Sequence, residues 1–237
     1  MKPNAMGRHV VVRTIERAAP DVIERLASVG TATVHEAIGR RGYLGPELRP
    51  IQQGARVAGS AVTALCHPGD NLMIHAAVEV CEPGDVLVVA TTAPSTHGAF
   101  GDLLATSLMA RGVVALVIDA GVRDTADLRR MGFPVWSRWV SCQGTVKSTP
   151  GSVNVPVVIG GVTVGPGDVV TADDDGVVVI GRDEAEWALE QCSARLSKED
   201  ATRARLAAGE LGLDFYGLRD TLTGLGVVYV DRADDSD

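Results

Sequence analysis

The chain has 237 residues, 46% of them hydrophobic but only 4% aromatic, so Val, Ile, Leu and Ala have to build the core. A net charge of −8 sets an acidic surface against phosphate backbones and argues against nucleic-acid binding. No apolar run approaches the ~18 residues of a membrane span and no leader is recognisable at the N-terminus, which reads as a cytoplasmic protein with no membrane partner.

Along the chain, residues 8–15 read as a strand, Pro20 to Ser28 as a short amphipathic helix, and Thr31 or Thr33 as the cap of a second helix through Ala37. A punctuated loop follows to Pro50, then a strand over residues 57–65. Pro-Gly-Asp occurs at residues 68–70, 83–85 and 166–168; Pro followed by Gly suits the centre of a type II turn, because Gly accepts the positive φ. The first of these turns leads into a helix, Asn71 to Val80, and the other two launch strands, Val86 to Thr91 and Val169 to Ala172.

From Asp85 continuous apolar strands alternate with short helices. After Val86 to Thr91 comes a loop with Gly98 and Gly101, a helix from Asp102 to Ala110, a strand from Val113 to Ile118, a glycine turn, a helix from Thr125 to Met131 and a strand from Pro134 to Arg138. That β-α-β-α-β order predicts a parallel sheet covered on both faces. Beyond Thr145 short β segments take over at residues 153–161, 161–164 and 177–180, with Asp173-Asp174-Asp175-Gly176 as a hairpin turn. A charged helical arm runs from Asp183 to about Ala208, and a further helix precedes a closing strand, Val227 to Val230. The fold class is α/β, one domain with residues 183–237 as a helical C-terminal arm.

In a parallel sheet ligands bind beyond the carboxyl ends of the strands, near helix N-termini. Two successive strand-to-helix junctions carry acids there: Gly101-Asp102-Leu103-Leu104 and Gly121-Val122-Arg123-Asp124. If the two strands are neighbours, Asp102, Arg123 and Asp124 converge. The free N–H groups of Leu103 and Leu104 and the guanidinium fork of Arg123 then suit a carboxylate, and the two aspartates suit Mg²⁺ or Mn²⁺, which keep several waters. The plainer reading is that both aspartates are helix N-caps. Glu36 and Glu199 are further acid or base candidates, Glu199 from a neighbouring subunit's arm; each also suits a solvated helix face. Lys147 is a candidate for a distal carboxylate and His75 for the pocket wall. Cys142 reads as a buried small apolar residue, and the four scattered cysteines make neither a zinc site nor a disulfide framework.

Asp102, twenty intervening residues and then Arg123-Asp124 resemble the signature of the 4-hydroxy-4-methyl-2-oxoglutarate / 4-carboxy-4-hydroxy-2-oxoadipate aldolases, class II pyruvate aldolases that share their fold with the regulators of ribonuclease activity. The likeness extends through Thr31 to Ala37, Gly101 to Ser107, Gly132 to Ser137, Gly151 to Pro156 and Leu211 to Asp214. The resemblance implies a compact α-β-β-α sandwich assembled as homotrimers or homohexamers with sites at subunit interfaces. It implies Asp124 as the ligand of a divalent metal, Asp102 as the holder of a water on that metal, and Arg123 with the Gly101–Leu104 loop as the clamp on the pyruvyl group. It implies a 4-hydroxy-2-oxo acid substrate, a secondary oxaloacetate decarboxylase activity, and a place in protocatechuate or gallate breakdown. Two other readings compete: a Schiff-base aldolase using Lys147, and a non-enzymatic regulator that binds a ribonuclease.

Overall fold

The computed structural model describes residues 9–232, which divide into two compact units between Cys192 and Ser193. Helices α1 (Pro20–Ala27) and α2 (Thr31–Ala37) open the first unit. They are followed by β1 (Arg49–Pro50), β2 (Val57–Cys66), α3 (Leu72–Val80), β3 (Asp85–Thr91), β4 (Gly98–Phe100), α4 (Asp102–Ala110), β5 (Ala115–Val122), α5 (Thr125–Met131) and β6 (Val135–Val140). The short strands β7 (Ser152–Val153), β8 (Val157–Ile159) and β9 (Val162–Val164) precede the hairpin β10 (Val169–Asp173) and β11 (Gly176–Ile180). A single 3-10 turn at Arg182–Glu184 leads into α6 (Ala185–Ala207), and α7 (Gly212–Phe215) and α8 (Leu218–Gly224) complete the elements.

The main sheet runs β1-β6-β5-β3-β2-β10-β11, with β4 added beside β5 and β7 beside β2. Strands β2, β3, β5 and β6 are parallel, as the strand–helix alternation predicts, and β10, β11 and β1 are antiparallel additions. The segment from Gly42 to Pro50 runs between the two edges of the sheet: Leu44 and Gly42 bond β11, and Arg49–Pro50 pair with β6. The sheet therefore curls until it is nearly closed. Its inner face packs Leu44, Leu48, Val88, Val117, Trp136, Val170 and Val177 into one apolar cluster, with the Trp136 indole N–H donating to the Asp173 carbonyl at 2.8 Å. The outer face packs Val89, Leu116 and Ile118 under α3, α4 and α5 through Ile74, Leu108 and Leu128. A third cluster joins α1, α2 and the start of α6 to β10 and β11.

The structure corrects several sequence expectations. Residues 9–15 form no strand beyond one bridge from Val11 to Val153, and residue 8 lies outside the described residues. Residues 227–230 form no strand either; their side chains are exposed and none of the described strands pairs with them. Gly98–Phe100, expected as loop, is a strand, and β5 continues through Gly121 to Val122 instead of turning there. Those glycines serve close backbone approach: a Cβ at Gly98 would overlap the Ser141 carbonyl, and one at Gly121 the Thr96 and His97 carbonyls. Cys142, expected buried, is exposed, whereas Cys66, Cys81 and Cys192 are buried, and all four are free thiols. No helix among the described residues is long and apolar enough to cross a membrane.

The second unit consists of the later turns of α6 with α7 and α8. None of its described residues is buried, and Leu211, Leu225, Val228 and Tyr229 are exposed apolar side chains.

Candidate active site

Strand adjacency is what assembles the site. β3 covers β5 only as far as Ile118, and beyond that point β4 takes over the same edge, pairing Gly98 with Gly121 and Phe100 with Val122. The Arg123 N–H donates to the Phe100 carbonyl at 2.8 Å. The two junctions, Gly101-Asp102 and Arg123-Asp124, are thereby held side by side. Together they line a cleft of about 110 Å³ with Asn71, His75, Gly98, Ala99, Leu103, Leu104 and Lys147.

Neither aspartate makes a side-chain cap bond. Gly101 holds the cap position of α4, and Asp102 is the first helical residue. Asp124 does hold the cap position of α5, but its carboxylate makes no bond to the helix N–H groups, and its backbone is left-handed at φ 53°. A β-branched or bulky residue would be strained there; Asp is among the few that tolerate that conformation. The Asp124 carboxylate turns to Arg123 instead, with Nε 3.3 Å from Oδ2. It also lies over Gly101, where a Cβ would overlap Oδ2. Gly101 has φ −156°, extended backbone open to any residue, so the glycine is there to make room for the carboxylate. The Asp102 carboxylate has no hydrogen bond or ion pair among the described residues.

The first backbone bond of α4 runs from the Ala105 N–H to the Gly101 carbonyl, which leaves the N–H groups of Asp102, Leu103 and Leu104 without intrahelical acceptors. With the helix dipole they make this end of α4 favourable for an anion. The opposite wall is set by Asp70, whose buried carboxylate accepts the N–H groups of Leu72, Ser148 and Thr149 at 2.8, 2.8 and 2.7 Å. Burial pushes its pKa up, and those backbone donors more than reverse this and hold it below the usual carboxylate value. Asn71 and Val146 then bond backbone to backbone, which sets Lys147 at the cleft beside His75. Burial, with the charge of Lys147 adding to it, depresses the pKa of His75, so its neutral form is favoured.

Eight of the ten residues expected from the sequence meet here: Gly101, Asp102, Leu103, Leu104, Arg123, Asp124, Lys147 and His75. Glu36 and Glu199 do not line this cleft. Glu36 sits on α2, paired with Arg40 at 2.9 Å, and Glu199 lies on α6 in the second unit, 2.7 Å from Arg195. Asn71 is a lining residue that sequence reasoning passed over as the start of a helix. It is 7% exposed, its Nδ2 donates to the Ala99 carbonyl at 2.9 Å, and its Oδ1 has no partner. Leaving a buried amide oxygen unpaired costs about 1–3 kcal/mol. The signal in the sequence was a polar Asn directly after a turn that already supplies its own Asp.

The donor set can be tested against a divalent ion. Two carboxylates supply hard oxygens, and among the described residues no cluster of three or more His, Cys, Asp or Glu side chains could enclose a metal. That fits an ion such as Mg²⁺ or Mn²⁺, bound by one or two protein carboxylates and otherwise by water and substrate.

Comparisons with known proteins identify the family. The family model described as RraA-like, Aldolase/RraA, matches residues 31–179, which include every lining residue of the cleft. A protein of Halalkalibacterium halodurans named as a candidate 4-hydroxy-4-methyl-2-oxoglutarate aldolase is 26% identical over 85% of this chain and 96% of its own length. One of Burkholderia multivorans with the same name is 34% identical over 65% of this chain and 94% of its own. Among solved structures, Streptomyces coelicolor RraAS2, described as an unusual member of the RNase ES inhibitor RraA protein family, superposes with a TM-score of 0.72 at 32% identity, covering 80% of this chain and 99% of that one. The chain belongs to the RraA-like family.

Proposed function

We propose that this RraA-like protein is a divalent-metal-dependent aldolase that cleaves 4-carboxy-4-hydroxy-2-oxoadipate to pyruvate and oxaloacetate, and 4-hydroxy-4-methyl-2-oxoglutarate to two pyruvates. The observation that carries the reading is the pair of aspartates, one at a helix start and one at a cap position, neither of which caps its helix, beside one arginine in one cleft. The names of the relatives from Halalkalibacterium and Burkholderia support lyase chemistry of this kind.

Asp124, with Asp102 nearby, would hold Mg²⁺ or Mn²⁺, which would supply positive charge at the 2-oxo group as the bond between C3 and C4 breaks. The substrate's C1 carboxylate meets the unpaired N–H groups at the start of α4 and the planar fork of Arg123. Arg123 also neutralises the enolate that develops on the pyruvyl half. Asp102, with no competing partner, is free to take part in moving the proton of the C4 hydroxyl. Lys147, in the same cleft, would take a distal carboxylate, and His75, favoured neutral, forms part of the wall. Oxaloacetate decarboxylation passes through the same pyruvate enolate, so the same groups would serve it. The second unit, with no buried residue among those described and several exposed apolar side chains, supports the reading of the C-terminal arm as a contact with a neighbouring subunit in a homotrimer or homohexamer; Glu199 would enter a site by that route.

The test is pyruvate release from 4-carboxy-4-hydroxy-2-oxoadipate, coupled to lactate dehydrogenase, on protein treated with a chelator and then resupplied with Mg²⁺. Release restored by Mg²⁺ supports the reading. Release that ignores the chelator removes the metal, and borohydride trapping of Lys147 with pyruvate would then favour a Schiff base. The description of RraAS2 motivates one other reading, a ribonuclease regulator in this chain; capture of a ribonuclease together with silence on both 4-hydroxy-2-oxo acids and oxaloacetate would favour it.

A further inference from the structure

We infer that Asn71 determines specificity by accepting a hydrogen bond from the substrate's C4 hydroxyl. This rests on the aldolase reading of the cleft. The carboxamide is oriented from both sides. Its backbone is fixed by the bond from its N–H to the Val146 carbonyl at 3.1 Å and by its own carbonyl, which accepts the Ile74 N–H at 3.1 Å. Its Nδ2 is committed to the Ala99 carbonyl in β4, at 2.9 Å, which decides which end of the amide carries oxygen. The remaining Oδ1 is itself buried, has no partner among the described residues, and belongs to a side chain that lines the cleft, so a hydroxyl seated against that wall is what would satisfy it.

An amide oxygen only accepts hydrogen bonds. At neutral pH the carboxylates and the 2-oxo group of a 4-hydroxy-2-oxo acid only accept as well, so none of them is complementary to Oδ1. The C4 hydroxyl is the one donor on such a substrate. A site built to hydrogen-bond a hydroxyl rejects the analogue without it, because the buried partner is then left unpaired. Asn71 is no base at this pH, so it orients the hydroxyl and leaves its proton to another group. Oxaloacetate, whose decarboxylation needs no C4 hydroxyl, makes no demand on Asn71.

The experiment measures kcat and KM of Asn71→Leu and of the smaller Asn71→Ser on 4-carboxy-4-hydroxy-2-oxoadipate and on oxaloacetate, with Mg²⁺ and a thermal melt of each variant. Cleavage efficiency is expected to fall roughly ten- to a hundredfold more than decarboxylation does in the same variant. An equal fall on both substrates, or no fall on either in a folded variant, overturns the proposal. A second readout is independent of turnover and of either variant folding. Wild-type protein is titrated with 2,4-dihydroxyglutarate and with 2-hydroxyglutarate, which differ only in the hydroxyl at C4 and cannot undergo the retro-aldol reaction. Tighter binding of the dihydroxy acid is expected, and equal affinity overturns the role of Asn71. If wild type prefers the dihydroxy acid yet cleaves neither proposed substrate, the aldolase function falls, and loss of that preference in folded Asn71→Ser then upholds the hydroxyl-reading role of Asn71, whereas its retention overturns it.

Discussion

Two groups of aspartates on this protein look alike in sequence and are used in opposite ways. In the β10–β11 hairpin, Asp173 accepts the Thr31 N–H at 2.9 Å, the Thr31 hydroxyl and the Asp175 N–H at 3.0 Å, while both oxygens of Asp174 accept the Gly54 N–H at 3.0 Å. Those carboxylates are consumed in tying α2 and the segment before β2 to the hairpin. Beyond the ends of β4 and β5, Asp102 is the first residue of its helix and Asp124 holds a cap position, and neither makes a cap bond. An acidic residue is structural when the backbone donors around it are spent on it. It is available for chemistry when donors and carboxylate are both left over in the same cleft.

The comparison is broken most severely at Asp124. Asp124→Asn keeps tolerance of the left-handed backbone and removes the charge; aldol cleavage is expected to fall roughly a hundred- to a thousandfold, with the melting temperature within about 2 °C of wild type because no cap bond is lost. A large drop in melting temperature with turnover intact would return Asp124 to a structural role. Gly101→Ala comes next. The added methyl displaces the Asp124 carboxylate without backbone strain, and steady-state kinetics should show turnover reduced roughly tenfold or more at near-normal stability.

Asp173→Ala should do the reverse. It orphans the Thr31 donors and costs about 1–3 kcal/mol, read as a lower midpoint in urea, while activity per folded molecule is unchanged; lost activity in fully folded protein would contradict the division drawn here. The smallest effect concerns His75. Because its folded pKa lies below the free value of 6.5, the unfolded chain binds the proton more readily, so its contribution to stability is full above that value and is lost as the pH falls below it. His75→Gln should flatten that part of the stability–pH curve in urea titrations between pH 5 and 7, and an unchanged slope would mean the imidazole is not held neutral.

Much of this was legible before any coordinates. Apolar periodicity and glycine stops located α1, α3, α4 and α5 to within a residue or two, because helix signals are local and each is closed by its own stop. The Asp102 and Arg123-Asp124 junctions were legible for the same reason, and so was the hairpin at Asp173 to Gly176. Gly98–Phe100 was not, since two glycines near a three-residue strand look like loop until the partner backbone whose approach they permit is known. Cys142 was misjudged because its exposure depends on what packs against it, and the apolar run at Val227–Val230 because strand character without an edge to pair with produces no strand.

What the sequence determined alone, then, was most of the helices, the run of parallel strands and two acidic junctions worth watching, all encoded in spacings of a few residues. Tertiary structure decided that β4 replaces β3 along β5 and so brings those junctions together, that neither aspartate spends its carboxylate on a helix, and that Asn71, a lining residue of the same cleft, keeps one buried oxygen unpaired. Each of those depends on which backbone donors find acceptors across tens of residues of chain, and no local pattern records that.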